Sequence, residues 1–128
     1  MSGLAEIIDV IAASLDPLTL EIPGLQITSG LNPNPTPPSI DIYPGDPSAT
    51  PASIGGWEEF FTVRARVTAP DDLAAQEVLL SLMDVAGPTS VITCLKNLPE
   101  QFAVEERSGF QPYPGDYLGC EWRVREIQ

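Results

Sequence analysis

The first residues of the chain carry apolar side chains at helical spacing. Five large hydrophobic residues recur every three or four positions and fall on one helical face: Leu4, Ile7, Ile8, Ile11 and Leu15. Ser2 stands where an N-cap residue is expected, and Pro17 ends the pattern. The segment therefore predicts an amphipathic helix.

Residues 57–68 alternate in character with the period of two that a half-buried strand requires. The residues of the apolar side are Phe61, Val63, Ala65 and Val67, and those of the mostly polar side are Phe60, Thr62, Arg64, Arg66 and Thr68. This alternation predicts a strand with one face toward a core.

Shorter patterns predict the other elements. They are strands over 25–28 and 39–43, helices over 70–85 and 90–98, and a hairpin that joins 102–110 to 117–127. The helix over 70–85 is expected to begin at Pro70 with Asp71 and Asp72 in its first turn, and to bury Ala75, Val78, Leu79, Leu82 and Val85. Runs of strands around a helix pair predict an α+β fold in a single domain, residues 1–128. Its single sheet is expected to be mainly antiparallel or mixed, with helices packed on one face.

Proline interrupts these patterns between the first and second strands and beyond. Half of the 14 prolines fall between Pro33 and Pro51, and proline neither continues a helix nor donates a ladder hydrogen bond. We therefore expect an extended Pro-rich loop region over residues 29–56, with a turn at 44–47. Such long excursions are usually functional or mobile, and the candidate partner-contacting residues are Pro33, Pro35, Pro37, Pro38, Ile54 and Trp57.

Composition narrows the possible chemistry. The 128 residues include 18 acids, 6 basic residues and no histidine, for a net charge of −12. That charge argues against general nucleic-acid or anionic-membrane binding. Without histidine, neither a Ser-His-Asp site nor a Cys/His zinc site can form, and no phosphate-binding glycine loop is present. We expect no enzyme activity, no metal and no cofactor, and we expect Cys94 and Cys120 to be buried thiols.

Four of the six basic residues form two same-face pairs on predicted strands, Arg64 with Arg66 and Arg123 with Arg125. If the strands are neighbours, the four side chains gather on one face. Two interpretations remain open. The arginines pair across strands with Glu121 and other acids, or they contact the acidic surface of another subunit, for which the guanidinium group is well suited.

Several segments together resemble the tail-terminator (tail-completion) proteins of long-tailed, non-contractile phages, particularly those of actinobacteria. They are Ile22-Pro23-Gly24-Leu25-Gln26-Ile27, Pro37-Pro38-Ser39-Ile40, Phe61-Thr62-Val63-Arg64-Ala65-Arg66-Val67, Asp71-Asp72-Leu73-Ala74-Ala75-Gln76-Glu77, Gly87-Pro88-Thr89-Ser90-Val91 and Tyr117-Leu118-Gly119-Cys120-Glu121-Trp122. The resemblance covers nearly the whole chain.

This resemblance implies a structural virion protein of the tail and neck, assembled in the host cytoplasm. Such proteins form a homohexameric ring on the tail-tube protein, stop tube polymerisation and join a head-closure or neck protein. Genomic DNA passes through the lumen without specific binding, and no membrane is involved. Two alternatives stay open: another head–tail connector component, such as a head-closure or adaptor protein, and a cytoplasmic module whose Pro-x-x-Pro segments, Pro35–Pro38 and Pro44–Pro47, serve as peptide ligands.

Overall fold

The chain folds as one six-stranded mixed sheet with helices on one face, which confirms the predicted α+β class. The structure, a computed structural model, describes residues 3–52, 55–68 and 72–127. Its elements are α1 Leu4–Leu15, α2 Leu18–Glu21, β1 Gln26–Ser29, β2 Ser39–Pro51, β3 Trp57–Val67, α3 Leu73–Met83, α4 Val91–Leu95, β4 Phe102–Arg107, β5 Gln111–Tyr113 and β6 Tyr117–Ile127.

The strands follow the order β1-β2-β3-β6-β4, and β5 pairs with the beginning of β6. β1 runs parallel to β2, whereas the other neighbouring strands are antiparallel. In the long β3–β6 ladder, Val63 lies opposite Trp122 and Arg64 lies opposite Glu121. This register puts the apolar residues of both strands on one face and their arginines on the other.

The core lies between the apolar sheet face and the helices. Trp122 and Phe61 are its largest fully buried side chains. Helix α1 buries the predicted face apart from Leu4, which is 47% exposed at the first turn. Helix α3 buries Ala75, Leu79 and Leu82. One face of the sheet and the four helices α1 to α4 thus share a single core.

The strand predicted over 39–43 is confirmed, but it continues to Pro51 as β2, so the expected turn at 44–47 and the expected loop over 48–51 are wrong. The prolines are tolerated because the ladder between β2 and β3 is irregular where they occur. Its register shifts between Pro44 and Ala49, and Pro47 lies inside this irregular stretch. Proline is accommodated at such bulges because no regular ladder bond is lost there.

Element ends differ from the predictions in several places. Helix α3 ends at Met83, so Val85, expected to be buried, is 64% exposed. Asp72 caps this helix by accepting the N–H groups of Ala74 and Ala75, and α4 is capped by Ser90 and ends at Leu95. The expected strand over 102–110 ends at Arg107, and residues 111–113, expected in the hairpin connection, form the separate strand β5. Ser2, Pro70 and Asp71, predicted at helix starts, lie outside the described residues.

Candidate assembly surfaces

The sheet face that carries no helices collects the four predicted arginines. Arg64 and Arg66 on β3 lie beside Arg123 and Arg125 on β6, since Thr62 is opposite Arg123 and Phe60 is opposite Arg125. The prediction that these residues share one face is therefore confirmed. We call this surface the open face.

Arg64 is held at the centre of the open face by a carboxylate and two aromatic rings. Its Nε donates to Glu121 Oε2 at 3.0 Å, and its guanidinium lies 4.4 Å from the ring centroid of Tyr113 and 5.1 Å from that of Tyr43. The Tyr113 hydroxyl donates to the same Glu121 oxygen at 2.8 Å. Burial and this bond raise the pKa of Tyr113, and burial, together with the nearby charge of Glu121, raises the pKa of Tyr43 to about 12.

Arg66 forms a buried ion pair with Asp41 of β2, in which both side chains are nearly inaccessible to solvent. The chain before β2 covers this pair, and we call residues 31–38 the proline strap. The backbone N–H of Asn32 donates to Asp41 Oδ2 at 3.0 Å, and its backbone carbonyl accepts from Arg66 Nη2 at 2.7 Å. The Tyr117 hydroxyl donates to the Pro35 carbonyl at 3.2 Å. The strap is thus docked on the open face by charged and polar groups of the sheet.

Arg125 and Arg123 differ in their partners. Arg125 lies 3.2 Å from carboxylate oxygens of both Glu58 and Glu105. Arg123 stacks over Phe60, 4.0 Å from its ring centroid, and within the described residues it has no carboxylate at ion-pair distance. Cross-strand pairing is therefore confirmed for Arg64, Arg66 and Arg125, while a contact with another subunit stays a prediction for all four.

The candidate partner-contacting residues do not form one surface. Pro33 is exposed, Pro35 is buried, and Pro37 and Pro38 are half-buried, all in the strap at the beginning of β2. Trp57, 54% exposed, lies at the other end of the sheet, opposite Pro51 and next to the pairing of Glu58 with Ile127. The rise per strand residue puts these two ends roughly 30 Å apart. Ile54 lies outside the described residues.

Sequence reasoning missed an apolar groove at the β4 edge of the sheet. It has a volume of about 540 Å³ and lies between α4 with its following turn and β4. Its apolar lining includes Leu95, Leu98, Phe102 and Val104. These residues were placed only within the predicted helix over 90–98 and the predicted strand over 102–110, because spacing along one element does not reveal a gap between two elements.

Asp41 was also missed as part of the open face. The signal was present, because in Ser39-Ile40-Asp41-Ile42-Tyr43 the acid alternates with the two isoleucines that face the core. Its partner on the neighbouring strand depends on register, which the alternation leaves open.

The two cysteines and the potential metal-ligating side chains were the other candidates for chemistry. Cys94 and Cys120 are free and buried, and burial raises the pKa of both thiols, that of Cys120 to about 12. Over the described ranges, no cluster of three or more potential metal-ligating side chains occurs. Over the same ranges, no helix has the length and apolar character needed to cross a bilayer.

Comparison with known proteins finds no family model that matches the chain and no curated protein with significant similarity to it.

Proposed function

We propose that this chain is a ring-forming subunit of the tail-terminator type, which caps a phage tail tube and presents a second surface to the neck. The proposal rests on the segments that resemble this family, above all Tyr117-Leu118-Gly119-Cys120-Glu121-Trp122, which forms the first half of β6. A subunit of this kind needs two separate axial contacts and a rigid body between them.

The observation that carries the proposal is the position of the two candidate contact regions, the partly exposed strap and the exposed Trp57, at opposite ends of one continuous sheet. β2, β3 and β6 run the full length between the strap and the Trp57 end. An exposed tryptophan is typical of protein interfaces, where a large rigid ring buries much area at low entropy cost. Strap and tryptophan thus supply two surfaces, one for the tube and one for the neck.

The peptide-ligand alternative receives less support from the geometry. Pro35 is buried and its carbonyl accepts a hydrogen bond from Tyr117. The segment Pro44–Pro47 belongs to β2. A proline-rich ligand must present a free extended segment to its receptor, and both Pro-x-x-Pro segments here are already engaged in the fold.

The test is a tube-capping assay with a phage tail-tube protein. Tubes polymerised with the purified protein are expected to be shorter and to show a ring at one end by negative-stain microscopy. The variant Trp57→Ser is expected to lose contact with one partner, tube or neck, while Leu73→Ser, which removes another exposed apolar side chain (73% exposed), retains both. Tubes that elongate unchanged, with no density at their ends, would refute the proposal. Binding only to already capped tails or to heads would identify a different connector component.

A further inference from the structure

Charge is distributed very unevenly along this chain. No lysine or arginine precedes Arg64, whereas acids occur from Glu6 onward. Any electrostatic attraction between copies therefore has to bring the C-terminal half of one copy to acids of another, because copies of a protein with a net charge of −12 otherwise repel each other.

The first two helices present an acidic face with apolar residues in it. The exposed acids of α1, α2 and the turn between them are Glu6, Asp9, Asp16 and Glu21, and within the described residues none of them has a cationic partner. Leu20 is 89% exposed, more than any other large hydrophobic side chain of the described residues. We call this surface, residues 4–21, the acidic helical face.

The groove at the β4 edge has an apolar lining with two cations beside it. Lys96 and Arg107 border it, are exposed, and lack a carboxylate at ion-pair distance in the described part of the chain. Among the described residues, Arg107 donates a hydrogen bond to the Met83 carbonyl. Three carboxylates, Glu100, Glu105 and Glu106, also border the groove, and Glu105 is already paired with Arg125. An acidic partner therefore has to meet the two cations and stay away from Glu100 and Glu106.

The two surfaces are different patches of the chain. α1 packs over β1 and β2 and also contacts α4, whereas the groove lies between α4 and β4, the edge strand opposite β1. A contact between two different patches is heterologous, and it generates a ring when the rotation between successive copies closes. A patch that paired with itself would instead give a twofold dimer.

We infer that the groove between α4 and β4 binds the acidic helical face of the next copy of this chain, with Leu20 as its apolar anchor. The leucine enters the lining formed by Leu95, Leu98 and Phe102, and acids of the helical face meet Lys96 and Arg107. This inference rests on the proposed function, since it names the side-by-side contact of the ring.

Leu20→Ser tests the anchor, and Leu73→Ser is its matched control because both leucines are exposed and neither belongs to the core. Self-association is measured by analytical ultracentrifugation and as rings on tube ends. Burial of one leucine predicts an association constant roughly 10- to 100-fold lower for Leu20→Ser and unchanged for the control. Glu100→Gln is expected to strengthen association, because it removes a like charge from the groove.

Cross-linking tests the pairing itself. Variants Leu20→Cys and Leu98→Cys, mixed and treated with a short bis-maleimide under native conditions, are expected to give a 20–98 dimer. Each variant alone is expected to give none, because the native thiols are buried. Cross-links of Leu20→Cys with itself, equal effects of the two serine variants, or a monomer both in solution and on tubes would overturn the inference.

The two proposals fail separately. If rings cap tubes and the Leu20→Ser change has no effect on their assembly, the terminator function stands and this interface is refuted. Rings that depend on Leu20 but never bind tubes would keep the interface and remove the terminator function.

Discussion

The buried ion pair between Arg66 and Asp41 gives the sharpest test of how the strap is held. The change Arg66→Met keeps a long apolar stem but removes the charge, the bond to the Asn32 carbonyl and the stacking over Tyr117, whose ring centroid lies 5.9 Å from the guanidinium. Asp41, fully buried, is then left with the Asn32 N–H as its partner. A buried carboxylate without its cation is strongly destabilising.

The expected loss in free energy of unfolding is about 3–5 kcal/mol. For a domain of this size that corresponds to a Tm lower by roughly 10–20 °C. The double variant Arg66→Met/Asp41→Asn removes the uncompensated charge, so we expect it to recover about 2 kcal/mol or more of the loss. The control is Arg125→Met, whose ion pairs are partly exposed and contribute about 0–1 kcal/mol.

Urea unfolding followed by tryptophan fluorescence measures these values, since Trp122 is fully buried and reports on the core. Hydrogen exchange adds a local readout. The Asn32 amide donates to Asp41, so its protection is expected to fall in Arg66→Met and to stay unchanged in Arg125→Met. Equal stability losses in the two single variants would refute the view that burial makes the Arg66 pair different.

Two further predictions concern the centre of the sheet. Gly119→Ala places a Cβ 2.1 Å from the Ala65 carbonyl oxygen, a backbone atom that cannot move aside. We expect it to lower the free energy of unfolding, measured in urea, by about 3 kcal/mol or more. The control is Gly109→Ala, which should leave stability nearly unchanged because its Cβ meets nothing within 4 Å. The pKa of Tyr43 is raised to about 12 from an ordinary 10.0, which means that the folded state favours the neutral phenol. The contribution of this group to the free energy of unfolding is therefore complete below pH 10.0 and is lost as the pH rises toward 12. The Tm is expected to fall over that range, less steeply in Tyr43→Phe, and a Tm that is constant across it would contradict the assignment.

The sequence by itself determined the features that depend on local periodicity. The buried face of α1 and the two sides of β3 follow from spacing alone, because a side chain's direction in a helix or strand is set by its position in the repeat. The gathering of Arg64, Arg66, Arg123 and Arg125 on one face followed from the same rule once β3 and β6 were neighbours. The α+β class followed from the order of these elements.

Only the tertiary structure decided which groups meet. The pairing of Arg66 with Asp41 depends on strand register and on a strap that covers it, and both are contacts between residues distant in sequence. Pairing with β3 through an irregular register also kept residues 44–51 in a strand that their prolines argued against. The groove at Leu98 and Phe102 exists because a helix and an edge strand leave a gap between them. Packing sets such gaps, and no local pattern in the sequence records them.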